Sequence, residues 1–338
     1  MVKVVRTDME LECPLLDAEL RRRVTKLVLL PEGVDEENLA RELSDADLLL
    51  MCYTPITARV IDGARKLKGI VKYGVGIDAI DIEAAMTKRI PVVNVPEYAE
   101  ETVAECAFSL LIALAKQLIP MDREMQAAGW FWPTHAWLGS DIAGKTVGLV
   151  GLGRIGRNMA RMAGAGFRAR VLGFDPNVSD AEMADVGVEK FDDLKTMLND
   201  CDFVSVHCVL NPETRHLIGE YELKAMKPSA FLINVSRGDI VDEKALLRAL
   251  SENWIAGVGL DVYSQEPVTL TGHPLSELFD LPNVIMLPHI AFYTREAMMR
   301  LEKATLERCW ELLEGRPAVV KSDDPRLRKQ LHGVIFGS

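Results

Sequence analysis

Apolar and polar positions along this chain follow two alternating rhythms. Short, mostly apolar runs occupy 2–5, 27–30, 48–51, 69–72 and 91–94, with stretches of helical spacing between them, notably 57–67 and 82–88. Such runs are too short for helices, and most lack the apolar/polar alternation of a half-exposed strand, so they predict strands buried on both faces. The same order returns over 144–288, with strands centred near Val147, Val171, Val204, Leu232, Val258 and Ile285. Strand and helix in turn predict an α/β chain with two doubly wound parallel sheets. A helix over 100–119 separates the halves, and a long one over 294–313 follows the second. If the last helix packs on the first sheet, the chain crosses between domains twice, the second domain is an insertion, and the crossings form a hinge.

The second half opens on the run Gly148-Leu-Val-Gly-Leu-Gly-Arg-Ile-Gly156. The apolar stretch 145–150 reads as a strand, and Gly151, Gly153 and Gly156 turn it tightly into a helix over 154–163. Glycines let backbone approach a pyrophosphate, and the helix N-terminus offers unpaired N–H groups and partial positive charge to bind it. A second strand over 169–174 ends at Asp175, about 20 residues past the glycines, where the ribose-binding acid of this motif belongs. A carboxylate accepts hydrogen bonds from both ribose hydroxyls of NAD, whereas a 2′-phosphate would meet like charge. Pro176 and Asn177 follow, with no arginine, so the pattern predicts NAD over NADP.

Composition narrows the class. At 338 residues the chain exceeds the size at which one core stops growing, and 49% apolar residues supply well-buried cores. Fifty acidic residues against 39 basic ones leave a net charge of −11 with no polybasic run, which disfavours nucleic acid and anionic membrane as partners. The six cysteines show no Cys-x-x-Cys pairing or ligand spacing, so no metal is expected, and reduced thiols with an N-terminus lacking a secretory core predict a cytoplasmic protein. The segment Gly129-Trp-Phe-Trp-Pro-Thr-His-Ala-Trp137 gathers three of the five tryptophans. Aromatics that dense predict a buried contact, within the chain or, the favoured alternative, across a subunit interface.

Nearly the whole chain resembles the D-isomer-specific 2-hydroxyacid dehydrogenases. The resemblance rests on Lys72-Tyr-Gly-Val-Gly-Ile-Asp-Ala-Ile-Asp81, Thr102-Val-Ala-Glu105, the glycine run with Asp175, Asn234-Val-Ser-Arg-Gly238, Gly259-Leu-Asp-Val-Tyr-Ser-Gln-Glu-Pro267 and Leu287-Pro-His-Ile290, in the family's order and spacing. It implies a Rossmann NAD domain (99–289) inserted into a flavodoxin-like substrate domain (1–98 and 290–338), an active site in the cleft, and a homodimer. The family's catalytic trio falls on Arg237, Glu266 and His289. A 2-oxo acid presents a carboxylate beside a ketone, which the fork of Arg237 suits, binding one and polarising the other. Reduction also delivers a proton to the ketone oxygen, a task for histidine near neutral pH, and His289 is that acid. Glu266, against the far ring nitrogen, fixes the tautomer and favours the protonated ring. For substrate binding the resemblance implies Tyr73, Gly74, Val75 and Gly76 together with Arg237, with backbone N–H groups of the 74–77 loop meeting the substrate carboxylate. For the cofactor it implies Gly151, Gly153, Arg154, Ile155, Gly156 and Asp175, with Cys208, Val209, Thr214, Val235, Ser236, Asp261 and Thr102. His207, ending a strand, could neighbour the cofactor.

The chain departs from the family at Ala79, Val209 and Asn211, and at Phe292 and Tyr293, which put two aromatics beside the acid where small residues are common. Such aromatics resemble the C-terminal-binding-protein branch. Only about 25 residues follow the last helix, which disfavours the long allosteric phosphoglycerate dehydrogenase type. The expected activity is reduction of a small 2-oxo acid such as glyoxylate, hydroxypyruvate or phosphohydroxypyruvate. The alternative is an NAD(H)-sensing binding module with residual activity. Lys72 suits a phosphate or second acid group, while Phe292 and Tyr293 suit a compact or apolar tail.

Overall fold

Five apolar runs of the N-terminal third become strands: Lys3–Arg6 (β1), Lys26–Leu29 (β2), Leu48–Met51 (β3), Ile70–Lys72 (β4) and Val92–Asn94 (β5). All pair in parallel in the order β2-β1-β3-β4-β5, that of flavodoxin-like sheets. Parallel neighbours need crossovers, and the helices that supply them cover both sheet faces, so Val4, Leu49, Val71 and Val93 are fully buried. The crossovers are cut where the residues dictate. Asp35 caps the helix Glu36–Leu43 by accepting the Asn38 amide, and Thr57 caps Ala58–Gly63 through the Val60 amide. The latter helix stops at Gly63, short of the expected residue 67.

Seven further strands form the second sheet: Thr146–Val150 (β6), Arg170–Phe174 (β7), Glu189–Lys190 (β8), Phe203–Val206 (β9), Phe231–Asn234 (β10), Gly257–Leu260 (β11) and Val284–Met286 (β12). Their order, β12-β11-β10-β9-β6-β7-β8, is all parallel and reverses direction between β6 and β9. That arrangement is the doubly wound dinucleotide-binding topology, with its switch point beside the glycine turn. Two apolar cores pack its faces, one around Leu232, Leu246 and Val258, the other around Phe108, Leu149 and Ile233.

The chain then continues into the helix Arg295–Leu313, capped by Thr294, and the paired strands Ala318–Val320 (β13) and Val334–Phe336 (β14). This helix packs with residues of the first sheet and its covering helices: Glu302 accepts the Leu16 amide at 2.7 Å, and Leu312 fills the space a side chain at Gly69 would need. The computed structural model describes residues 1–337, which divide into two units, 1–99 with 293–337, and 100–292. Ala99 thus falls in the first unit and 290–292 in the second.

One expectation is overturned. The helix over 100–119 is two, Glu100–Ala115 and Leu118–Ala128, bent by 58° at a break where Gln117 adopts a left-handed φ of 50°. Pro120 explains it, because its ring would strike the Lys116 carbonyl and it has no N–H to donate there. Among the described residues the second helix buries none of its own, and Trp130 and Trp132 beyond it are 76% and 78% exposed. The aromatic segment therefore finds no burial among the described residues, apart from ring contacts of its own between Trp130 and Trp132 and between Phe131 and Trp137.

Candidate active site

In a parallel sheet every strand delivers its C-terminal end to the same edge, and the second unit uses that edge fully. The turn after β6 carries Gly151, Gly153 and Gly156. Gly151 has φ 97°, and a Cβ there would lie 2.5 Å from the Cys208 amide nitrogen, so the turns after β6 and β9 touch through backbone. Gly153 caps the helix Arg154–Arg161, whose first turn, Arg154, Ile155 and Gly156, points its amides at the same edge. After β7, Asp175 accepts the Leu152 amide through Oδ2 and the Asn177 amide through Oδ1, each at 2.9 Å, which ties its carboxylate to the glycine turn.

The turn after β9 holds Cys208 and Val209, the latter 71% exposed, and Thr214 closes it by donating to the Val209 carbonyl at 2.6 Å. The Ser236 hydroxyl donates to the Cys208 carbonyl, joining this turn to Val235 and Ser236 after β10. Thr102 is buried in the helix Glu100–Ala115, which packs on β10 and β11. His207 hydrogen-bonds Ser205 through Nε2 at 2.9 Å, its Nδ1 is buried without a partner among the described residues, and burial pushes its pKa down to about 4. It is a neutral wall residue.

The remaining groups occupy the other half of the edge. Arg237 follows β10 and is half-buried, with its turn held by Asn234 Nδ2, which donates to the Arg237 carbonyl at 2.9 Å. Asp261 directly follows β11 and is buried. Its two oxygens accept the Ile290 and Ala291 amides at 2.7 and 2.9 Å. Those bonds pin the segment after β12, where His289 adopts φ 56°, a backbone region that a residue with a Cβ enters at a cost. Burial raises the Asp261 carboxyl above its usual range despite the two amides and the nearby His289.

His289 Nδ1 lies 2.8 Å from Glu266 Oε2, with the two side chains 26% and 32% exposed. Glu266 Oε1 accepts the Tyr263 amide at 3.0 Å. Burial alone would raise the Glu266 carboxyl, but the hydrogen bond and charge of His289, the Tyr263 amide and the charge of Arg237 hold it below the usual carboxylate range. A carboxylate in this place fixes one ring nitrogen and leaves the other for a proton to be given or taken. Arg237, Glu266 and His289 therefore share one electrostatic network. Tyr263, given no role by the sequence, donates from its hydroxyl to the Leu287 carbonyl at 2.8 Å and so joins the Glu266 loop to the His289 segment.

The turn Tyr73 to Gly76 belongs to the first unit. Tyr73 does not present its hydroxyl: the side chain is fully buried and donates to the Thr7 carbonyl at 2.5 Å. The three-residue strand β4 ends in such a way that Tyr73 turns inward and Val75 outward, 45% exposed. Gly74 bonds back to the Lys72 carbonyl, and Asn94 Nδ2 donates to the Val75 carbonyl at 2.6 Å. Lys72 is also buried, donating to the Cys52 carbonyl and lying 3.3 Å from Cys52 Sγ, so its ammonium underlies the turn from within.

Residues 108–291 match the family model of the D-isomer specific 2-hydroxyacid dehydrogenase NAD binding domain. The chain is 39% identical to a glyoxylate reductase of Korarchaeum cryptofilum over 86% of its own length and 87% of the relative's. It is 40% identical to one of Thermococcus litoralis over 79% of each. Among solved structures, D-lactate dehydrogenase from Aquifex aeolicus, complexed with NAD and lactic acid, superposes with a TM-score of 0.82 at 29% identity, covering 92% of this chain and 96% of that one.

Proposed function

The chain belongs to the D-isomer-specific 2-hydroxyacid dehydrogenases, NAD-dependent oxidoreductases acting on CH–OH donors, and on that footing we propose that it reduces a small 2-oxo acid, glyoxylate first, using Arg237, Glu266 and His289. The observation that carries the assignment of roles is the 2.8 Å contact of Glu266 with His289 Nδ1, inside the reach of the Arg237 charge. Relatives that are glyoxylate reductases support the choice of substrate.

The residues fit NAD. The Gly151 turn is a cradle that any Cβ would fill, the helix start at Arg154 offers amides to a pyrophosphate, and Asp175 is a carboxylate with lone pairs beyond the two amides it accepts. When bound, the nicotinamide supplies the hydride for the carbonyl carbon. Arg237 then binds the substrate carboxylate and draws charge toward the ketone oxygen. His289 gives the proton that this oxygen needs and takes it back in oxidation. Glu266 holds the ring in the tautomer that exposes the other nitrogen, while Asp261 holds the backbone that aims it. We assign Cys208, Val209, Thr214, Val235, Ser236 and Thr102 to the cofactor's surroundings, and the amides of Gly74, Val75 and Gly76 to the substrate carboxylate. Lys72 below that turn adds positive charge from a buried position.

The helix Leu118–Ala128 and the exposed Trp130 and Trp132 support a homodimer built on this surface. No single helix among the described residues is long and apolar enough to cross a membrane; the cytoplasm is the compartment proposed. The activity test follows NADH absorbance with glyoxylate, hydroxypyruvate, pyruvate and phosphohydroxypyruvate. Turnover of glyoxylate that vanishes in His289→Ala is the expected result. No oxidation of NADH with any of the four acids would refute the proposal.

A further inference from the structure

We infer that Glu243 is a positioning residue for the proton-transfer pair, strapping the loop that carries Glu266 to the helix that follows the Arg237 turn. The inference rests on the roles proposed for Arg237, Glu266 and His289. Residues 261–267 form no regular element, so the 2.8 Å approach of Glu266 to His289 depends on what ties this loop down. Tyr263 supplies one tie through Leu287, and Glu243 supplies the other: its Oε1 accepts the Ser264 amide at 2.7 Å and its Oε2 accepts the Ser264 hydroxyl.

The two segments also touch through backbone. A Cβ on Gly238 would lie 1.9 Å from the Tyr263 carbonyl carbon and 2.1 Å from the Ser264 nitrogen, so no side chain separates the Arg237 turn from the Glu266 loop. A contact without side chains can slide, and Glu243 clamps it with two acceptors on one residue.

Glu243 is not needed to cap its own helix, Glu243–Ser251. Asp242 does that, accepting the Lys244 and Ala245 amides at 3.0 and 3.2 Å. The Glu243 carboxylate leaves the helix and spends its acceptors on Ser264, two residues before Glu266. Ser264 is exposed, and hydrogen bonds at an exposed site add little to the stability of a domain. Their effect is geometric, and small displacements of catalytic groups carry large rate penalties.

The test compares Glu243→Ala, Glu243→Gln, Ser264→Ala and Glu266→Gln in the full chain with NADH and glyoxylate. For Glu243→Ala, kcat is expected to fall about tenfold with a smaller change in KM. The alkaline limb of the kcat profile should move toward lower pH, the direction in which Glu266→Gln moves it, while NADH affinity stays within about twofold. Glu243→Gln keeps one acceptor oxygen and should recover part of the rate. If Glu243→Ala does not fold, Glu243→Gln and Ser264→Ala carry the comparison. A wild-type kcat and an unmoved limb in the Glu243 variants, with the limb displaced in Glu266→Gln, overturn the strap alone. An unmoved limb in Glu266→Gln overturns the reading of the pair itself. A lowered Tm with kcat unchanged would also overturn the strap, by leaving Glu243 a purely structural part.

Discussion

Glu266 Oε2 and His289 Nδ1 lie 2.8 Å apart, although their residues come from different strand ends and neither is fully buried. The carboxylate is bound on its other oxygen by the Tyr263 amide, so both oxygens are committed and the ring meets a fixed acceptor.

Replacing Glu266 by glutamine removes the charge while keeping the shape. An ionised Glu266 and a charged His289 stabilise each other, one of the causes that hold the carboxyl low against burial, and the substitution removes that mutual stabilisation. The reduction rate should fall by about 10 to 100-fold, and its alkaline limb should shift to lower pH. Stability follows the opposite sign. A carboxyl depressed in the folded state contributes stability that is complete above its unfolded range and lost as pH falls through the lower folded value. Glu266→Gln should therefore lose Tm less steeply in acid than the parent chain does.

Arg237→Lys keeps a positive charge and loses the planar fork. A carboxylate and an adjacent ketone oxygen are matched by two N–H directions that an ammonium on a flexible stem does not fix. Steady-state kinetics with glyoxylate should show KM raised and kcat/KM lowered about 100-fold or more, with NADH binding by fluorescence retained. Retention of the parent kcat/KM would remove Arg237 from the substrate.

His207 offers a pH test of the fold. Folded His207 resists protonation down to about 4, while an unfolded histidine takes a proton near its ordinary value of 6.5. Between those values the unfolded chain binds more protons, so stability falls as pH drops through the window. His207→Gln should lessen the Tm loss between pH 7, above that window, and pH 5, within it, in thermal melts.

The proposed homodimer predicts that the parent chain sediments as a dimer at micromolar concentration and that Trp130→Ser with Trp132→Ser sediments as a monomer, since two large exposed aromatics are the anchors such an interface uses. An unchanged dimer would move the interface elsewhere.

The strands were legible in the sequence because parallel sheets bury both faces, and 48–51 matches β3 to the residue. The glycine turn was legible because its spacing is dictated by backbone contact, visible at Gly151 against Cys208. What stayed hidden depends on long-range pairing. Nothing in the order of residues announces that Asp261 takes the Ile290 and Ala291 amides, that Tyr263 reaches Leu287, or that Tyr73 turns inward to Thr7. The break before Pro120 was readable in principle, since proline forbids the bond to Lys116, but the apolar periodicity runs straight through it. Strand β8 is two charged residues, and β13 and β14 form a separate pair outside the strand–helix alternation that reveals the two large sheets, so none of the three was read.

The first unit draws its sheet from 1–99 and its helix Arg295–Leu313 from the far end of the chain. A ribosome delivers those parts with the whole second unit between them. Residues 100–292 can fold as they emerge, whereas β1 to β5 wait with the surfaces meant for Glu302 and Leu312 still wet. The nascent chain thus exposes apolar strand surface for most of its synthesis, until the last helix emerges to cover it.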